Sequence, residues 1–200
     1  MHITILTFDG FNELDSLIAL GILNRVKKPG WKVSIASPTT RVESMNGVFI
    51  ERHVPLDDIS LADAVIIGSG LKTREVVADE SLMEQLRLDP NRQLIGAQCS
   101  GALVLAKLGL LKNIPACTDL TTTPWVKAAG VKVLNQAFFA KGNMATAGGC
   151  LASHYLAAWV IARLVGIEEA KNAIDYVAPV GEGEDYVTRA LGHITPYLNV

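Results

Sequence analysis

The chain has 200 residues, half of them hydrophobic, with a formal net charge of −2 and a pI of about 6.1. That length suits one α/β domain over residues 1–200, with a core that needs no disulfide or metal staple. The near-neutral charge gives no electrostatic basis for a nucleic-acid or anionic-membrane partner.

Short β-branched runs alternate with longer helical patterns along the chain. Residues 3–8 read as a buried strand. Residues 14–27 read as a helix, with Leu14, Leu17, Ile18, Ile22 and Leu23 near helical spacing, stopped by Pro29-Gly30. Strands are expected at 32–36, at 48–52 as an edge or hairpin arm after Asn46-Gly47, and at 64–68. A helical stretch at 82–88 ends before Pro90. A strand at 93–99 and a helix at 102–111 follow. Then come short strands at 114–118 and 131–134 around a helix at 124–129, which Gly130 stops. A strand at 143–146 precedes Gly148-Gly149 and a long helix at 150–165, and a further helix is expected at 168–175. After Ala178 the Pro, Gly and acidic residues predict a surface loop before a last short segment. This alternation implies a mostly parallel sheet with helices on both faces.

Three widely spaced cysteines, Cys99, Cys117 and Cys150, make neither a disulfide framework nor a metal-ligand spacing, which points to a reducing, cytoplasmic location. Residues 1–6 lack the basic and apolar segments of a signal peptide. The longest apolar candidate, 151–165, is interrupted by Ser153, His154 and Arg163 and is too short to span a bilayer. His2, His53, His154 and His193 show no metal-binding spacing, so neither a metal nor a cofactor is expected. His154, in an apolar helix, reads as a structural histidine.

In open α/β sheets, ligands gather at the carboxyl ends of strands. Four segments end there with chemically useful residues: Asp9-Gly10 through Asp15, Gly68-Ser69-Gly70, Cys99-Ser100-Gly101, and Cys117-Thr118-Asp119. Cys99 lies between a strand and an apolar helix among small residues, which resembles a nucleophile elbow. A helix N-terminus there favours a thiolate; the alternative is a buried, inert cysteine. Gly68-Ser69-Gly70 offers backbone N–H groups to a developing negative charge, or is an ordinary strand-exit turn. Asp15 and Glu13, near a helix start, read from position alone as caps or dipole partners.

Taken together, Ala97-Gln98-Cys99-Ser100-Gly101-Ala102 after a strand, Gly68-Ser69-Gly70 after the preceding strand, and Thr146-Ala147-Gly148-Gly149 before a long helix resemble the ThiJ/PfpI superfamily, a relative of class I glutamine amidotransferase domains. The resemblance runs from Ile3 to about Ala178. It implies a flavodoxin-like sandwich, a homodimer, and a reactive Cys99. It also implies a contacting carboxylate at Asp15, five residues after Gly10, and backbone oxyanion donors at Gly70 or its neighbour and at Ser100. The site would take a small-molecule substrate, with Thr118 and Asp119 on its wall.

Two departures narrow the chemistry. Peptidase-type members place His after the cysteine, where this chain has Ser100, which argues against proteolysis. Glyoxalase-type and deglycase-type members use a Thr-His pair where this chain has Thr118-Asp119. The isonitrile hydratase branch fits in part. It pairs a helix-one Asp with Cys-Thr-Gly at the elbow, and Ser100 keeps that hydroxyl. Its Thr-His-Trp run, and its Asp near the position of Tyr155, are absent. The expectation is a cysteine-dependent hydratase or hydrolase-like enzyme using Cys99, Asp15 and Ser100. The competing readings are a redox or stress sensor with an oxidisable Cys99, and a non-catalytic ligand-binding domain.

Overall fold

The computed structural model describes residues 1–198, so the last two residues of the expected 1–200 domain lie outside the described residues. Among the described residues a seven-stranded sheet forms the centre. Its strands are β1 (His2–Leu6), β2 (Lys32–Ser37), β5 (Val54–Pro55), β6 (Ala64–Ile67), β7 (Leu94–Gln98), β8 (Phe138–Lys141) and β9 (Met144–Ala147). They run in the order β5-β2-β1-β6-β7-β9-β8, all pairs parallel except the antiparallel β8–β9 edge. The short strands β3 (Arg41–Glu43) and β4 (Phe49–Glu51) make a separate hairpin around the Asn46-Gly47 turn. This is the flavodoxin-like α/β sandwich that the strand–helix alternation and the resemblance together imply.

The central strands are apolar throughout because helices cover both faces. Side chains alternate between two cores. Ile3, Ile5, Ala64 and Ile66 face the first, while Leu6, Val65, Ile67, Ile95 and Ala97 face the second. Helices α1 (Glu13–Leu23), α6 (Ser153–Val165), α7 (Ile167–Val177) and α8 (Gly183–Ile194) bury their apolar stripes in the first core, around the fully buried Trp159. The second is covered by a 3₁₀ segment (Leu56–Leu61) and by α2 (Thr73–Ala78), α3 (Glu80–Gln85), α4 (Gly101–Lys107) and α5 (Thr123–Ala128).

Several expected elements need correction. The stretches 114–118 and 131–134 form no strands; a single bridge joins Ala116 to Val133. The antiparallel edge comes instead from β8, which the reading missed, turned onto β9 through Lys141-Gly142-Asn143. The expected loop after Ala178 is largely α8, whose Tyr186, Val187, Ala190, Leu191 and Ile194 pack on the first core. Helix α1 ends at Leu23 rather than Lys27, where the Asn24 amide donates to the Leu20 carbonyl at 2.9 Å.

Strand order changes sense at β1, whose neighbours are β2 and β6. That switch point, with the ends of β6 and β7, is where open α/β sheets hold ligands. Close approach of α4 to β6 depends on Gly101. A Cβ there would meet the Ile67 carbonyl oxygen at 2.6 Å. Gly101→Ala is therefore expected to destabilise the fold by about 1–3 kcal/mol through forced overpacking. Gly192→Ala, exposed within α8 with no atom near its added methyl, is expected to stabilise by about 0.4–1 kcal/mol. Urea midpoints of the two variants, shifted in opposite directions, check this.

Candidate active site

Cys99 follows the last residue of β7 and precedes Ser100, which leads into α4. It adopts φ 47°, the left-handed region that L-residues rarely enter. Three hydrogen bonds over-determine that geometry. The Cys99 N–H donates to the Ala147 carbonyl at 2.8 Å. The Cys99 carbonyl accepts from the Thr118 hydroxyl at 2.8 Å and from the Ala102 N–H at 3.2 Å. Thr118 thus belongs to the site as a brace of the elbow.

Asp15 lies inside α1, not at its cap. The cap is Asn12, whose side chain accepts from the Leu14 N–H at 3.0 Å. Asp15 is fully buried, and its Oδ2 accepts the Ser69 hydroxyl. Its Oδ1 is buried without a hydrogen-bond partner. One carboxylate oxygen of Asp15, the Cys99 sulfur and the Cys150 sulfur lie within 4.8 Å of one another. The structure therefore brings together Asp15 and Cys99, as the resemblance implied, and adds Cys150. Glu13 is turned away. It accepts from the Ser44 hydroxyl and from the Asn46 side-chain amide at 2.9 Å, on the β3–β4 hairpin.

The electrostatics correct one expectation. A helix N-terminus was expected to favour the Cys99 thiolate, yet burial and then the negative charge of Asp15 push this thiol well above its ordinary range. Cys99 is only 3 % exposed, and α4 begins two residues later and is seven residues long, so desolvation wins over the dipole. Burial also raises the Asp15 carboxyl, opposed by the Ser69 hydroxyl and by the neighbouring Cys99 and Cys150 thiols, with the charge of Asp119 adding to the rise. Cys150 is raised by burial and by Asp15. Three acidic groups thus compete for the same local charge, and each holds its proton longer than it would in water.

The remaining predicted residues take supporting places. The Ser100 hydroxyl lies 2.7 Å from the Thr73 hydroxyl and accepts from the Gly70 N–H at 3.1 Å. It ties the elbow to the loop after β6, so the Gly70 donor expected for an oxyanion is already engaged. A Cβ at Gly70 would meet the Gly10 carbonyl oxygen at 2.5 Å, which fixes glycine there. Asp119 accepts the Thr122 N–H at 2.8 Å at the entry to α5. Cys117 is fully buried and its N–H donates to the Thr146 hydroxyl at 2.8 Å. His154 contacts the Leu151 carbonyl and packs at a tilt against the Tyr155 ring, with centroids 3.9 Å apart, its Nε2 buried without a hydrogen-bond partner.

Sequence reasoning passed over Cys150. It stands at the 3₁₀ turn opening α6, half-buried, with the Asn12 amide donating to its sulfur at 3.2 Å. The available signal was its place just after Gly148-Gly149, beyond a strand that pairs with β7. Cys150 also lines a cavity of about 790 Å³ between α1, α6, α7 and α8, whose wall includes Leu17, Ile18, Tyr155 and Arg189.

A flavodoxin-like sandwich with a cysteine elbow against a buried carboxylate defines a class of cysteine-site α/β proteins. Within that class, the DJ-1/PfpI family model matches residues 1–163, and the chain belongs to the DJ-1/PfpI family. Helices α7 and α8 lie beyond the matched residues. No curated protein matches. Among solved structures, Schizosaccharomyces pombe DJ-1 superposes with a TM-score of 0.75 at 14% identity, covering 90% of this chain and 100% of that one. A ThiJ/PfpI family protein from Pseudomonas syringae gives 0.77 at 18% identity, covering 97% and 87%. An oxidized Toxoplasma gondii DJ-1 gives 0.75 at 19% identity, covering 88% and 97%. At these identities the likeness is one of fold. Among the described residues, no helix is long and apolar enough to cross a membrane.

The Cys117 thiol, pushed up to about 12 by burial from an ordinary 9.0, gives a pH prediction. A raised native pKa contributes stability that is complete below 9.0 and is lost as pH rises towards 12. Cys117→Ala should therefore show a shallower alkaline loss of unfolding free energy, by up to about 1.4 kcal/mol per pH unit. Urea unfolding of both proteins across that window measures it; equal slopes would contradict it.

Proposed function

We propose that this protein is a cysteine-dependent hydratase acting on a small electrophilic carbon, with isonitriles as the best specific class. The observation that carries the reading is the buried Asp15 carboxyl lying within 4.8 Å of the Cys99 sulfur on a strained elbow. A thiol that keeps its proton needs a base at the moment of attack, and Asp15 is the group in place. The near-complete burial of Cys99 favours a slim reacting carbon over a peptide.

The steps balance as a hydration. Cys99 sulfur bonds to the terminal isonitrile carbon, and its proton passes through Asp15 to that carbon, leaving a thioimidate. Water adds to the carbon, giving one proton to Asp15 while the nitrogen gains one. The carbon–sulfur bond then breaks, the hydroxyl proton returns through Asp15 to sulfur, and an N-substituted formamide leaves. The Ser100 hydroxyl holds the Gly70 loop against the elbow, and its backbone N–H serves the developing charge. Thr118 fixes the Cys99 carbonyl. Asp119 contributes background charge that raises the proton affinity of the Asp15 carboxylate.

A redox role is the second reading, favoured by the Cys150 sulfur beside Cys99. One structural neighbour carries the description "oxidized". As to assembly, we propose a cytoplasmic homodimer, supported by the family and by exposed Leu14 and Leu151 flanking the site. Light scattering should give twice the 21.4 kDa chain mass. The chain mass alone at micromolar concentration would count against it.

Asp15→Asn keeps size and hydrogen bonding but removes the proton shuttle. Isonitrile hydration should fall by about 10²-fold or more. The Cys99 thiol should also titrate lower, because a negative neighbour is gone. Formamide production and ultraviolet thiolate absorbance against pH read the two effects. Undiminished turnover in Asp15→Asn, or turnover surviving Cys99→Ala, would refute the mechanism.

A further inference from the structure

We infer that Cys99 and Cys150 are a redox pair that closes into a reversible intramolecular disulfide on meeting a small hydroperoxide, with Asp15 carrying the proton between them. The inference goes beyond hydration and needs no turnover of an electrophile. It rests on where the fold puts the two sulfurs. Strands β7 and β9 are parallel neighbours with Gln98 opposite Ala147, so the turns that follow them lie side by side. The Cys99 N–H bonds the Ala147 carbonyl, and the Gln98 amide donates to the Gly149 carbonyl at 2.8 Å. These bonds hold the two turns together and leave both sulfurs and an Asp15 oxygen within 4.8 Å. An added Cβ at Gly149 would meet no atom within 4 Å, so that side of the turn before Cys150 is open.

The two thiols are not equivalent. Cys150 is half-buried and lines the cavity between α1, α6, α7 and α8, whereas Cys99 is enclosed. An oxidant entering the cavity meets Cys150 first. The Asn12 amide, donating to the Cys150 sulfur at 3.2 Å, stabilises negative charge there as the thiol gives up its proton. The hydroperoxide O–O bond then breaks. Its terminal oxygen joins Cys150 as a sulfenic acid, and the remaining alkoxide takes the thiol proton and leaves as an alcohol, or as water from hydrogen peroxide. In the second step Cys99 passes its proton to Asp15 and attacks the sulfenic sulfur. The S–S bond forms, the S–O bond breaks, and hydroxide leaves as water with the proton from Asp15. Two thiols have lost two electrons and the peroxide has gained them. A small thiol reductant reverses the bond by exchange. Cys117, buried behind Thr146, takes no part.

The test treats the full-length reduced protein with equimolar hydrogen peroxide, blocks remaining thiols with iodoacetamide, and maps peptides without reduction. The expected product is a Cys99–Cys150 linked peptide with Cys117 as the one alkylated thiol. The intact mass falls by two hydrogens, and dithiothreitol restores both thiols. Cys117→Ser should behave identically. Cys150→Ser should lose the bridge. Stable oxygen addition at Cys99 or Cys150 of the unsubstituted protein without a linked peptide would overturn the inference, as would a bridge through Cys117. Hydration by the untreated reduced protein is assayed separately, so failure of that activity leaves the mapping result readable.

Discussion

A cysteine held at φ 47° costs about 1–3 kcal/mol unless its surroundings leave it no alternative, and the carboxyl edge of this sheet is arranged to leave none. Strand β9 accepts the Cys99 N–H, the loop containing Thr118 donates to its carbonyl, and the first turn of α4 donates to the same oxygen. Two segments distant in sequence, and the helix that follows directly, converge on one residue. That convergence lifts the Cys99 side chain out of the sheet towards α1, where Asp15 waits on a helix capped by Asn12. Ser100 fastens the elbow to the Gly70 loop and so ties the end of β7 to the end of β6.

Burial then governs the chemistry. In water the acid would ionise first and the thiol much later. Inside this fold both resist ionisation, and each negative charge would penalise the other. Such a pair is poor as a standing thiolate and good as a relay, because a proton moved from sulfur to carboxylate stays within the same enclosed space. Both the hydration proposed for Cys99 and the disulfide inferred with Cys150 use that relay. They differ in whether the sulfur meets an electrophilic carbon or a sulfenic sulfur.

Much of this was legible in the sequence where local pattern and burial agree. The apolar runs at β1, β6 and β7 admit no other reading in an alternating chain, and Gly-rich punctuation placed the elbow and the Gly68–Gly70 turn. Asp15 was ambiguous from position alone, since a carboxylate near a helix start is usually a cap; only the motif spacing from Gly10 favoured contact. What failed were elements decided by tertiary partners. Residues 114–118 have strand composition but find a single bridge. Helix α8 carries two glycines and an acidic first turn that read as loop, while its apolar stripe matters only once the first core exists to receive it. The pairing of Cys150 with Cys99 is hidden for the same reason, because Cys99 is 51 positions away and joined to it by the β7–β9 register.

The central claim is that the Asp15 carboxyl is buried against the Cys99 thiol. Carbon-labelled aspartate followed by NMR against pH tests it most directly. The Asp15 carboxyl should titrate above its ordinary 3.8, and in Cys99→Ala it should move higher still, because the nearby thiol that favours the carboxylate is lost. An Asp15 resonance titrating at the ordinary value and unmoved by Cys99→Ala would contradict the account.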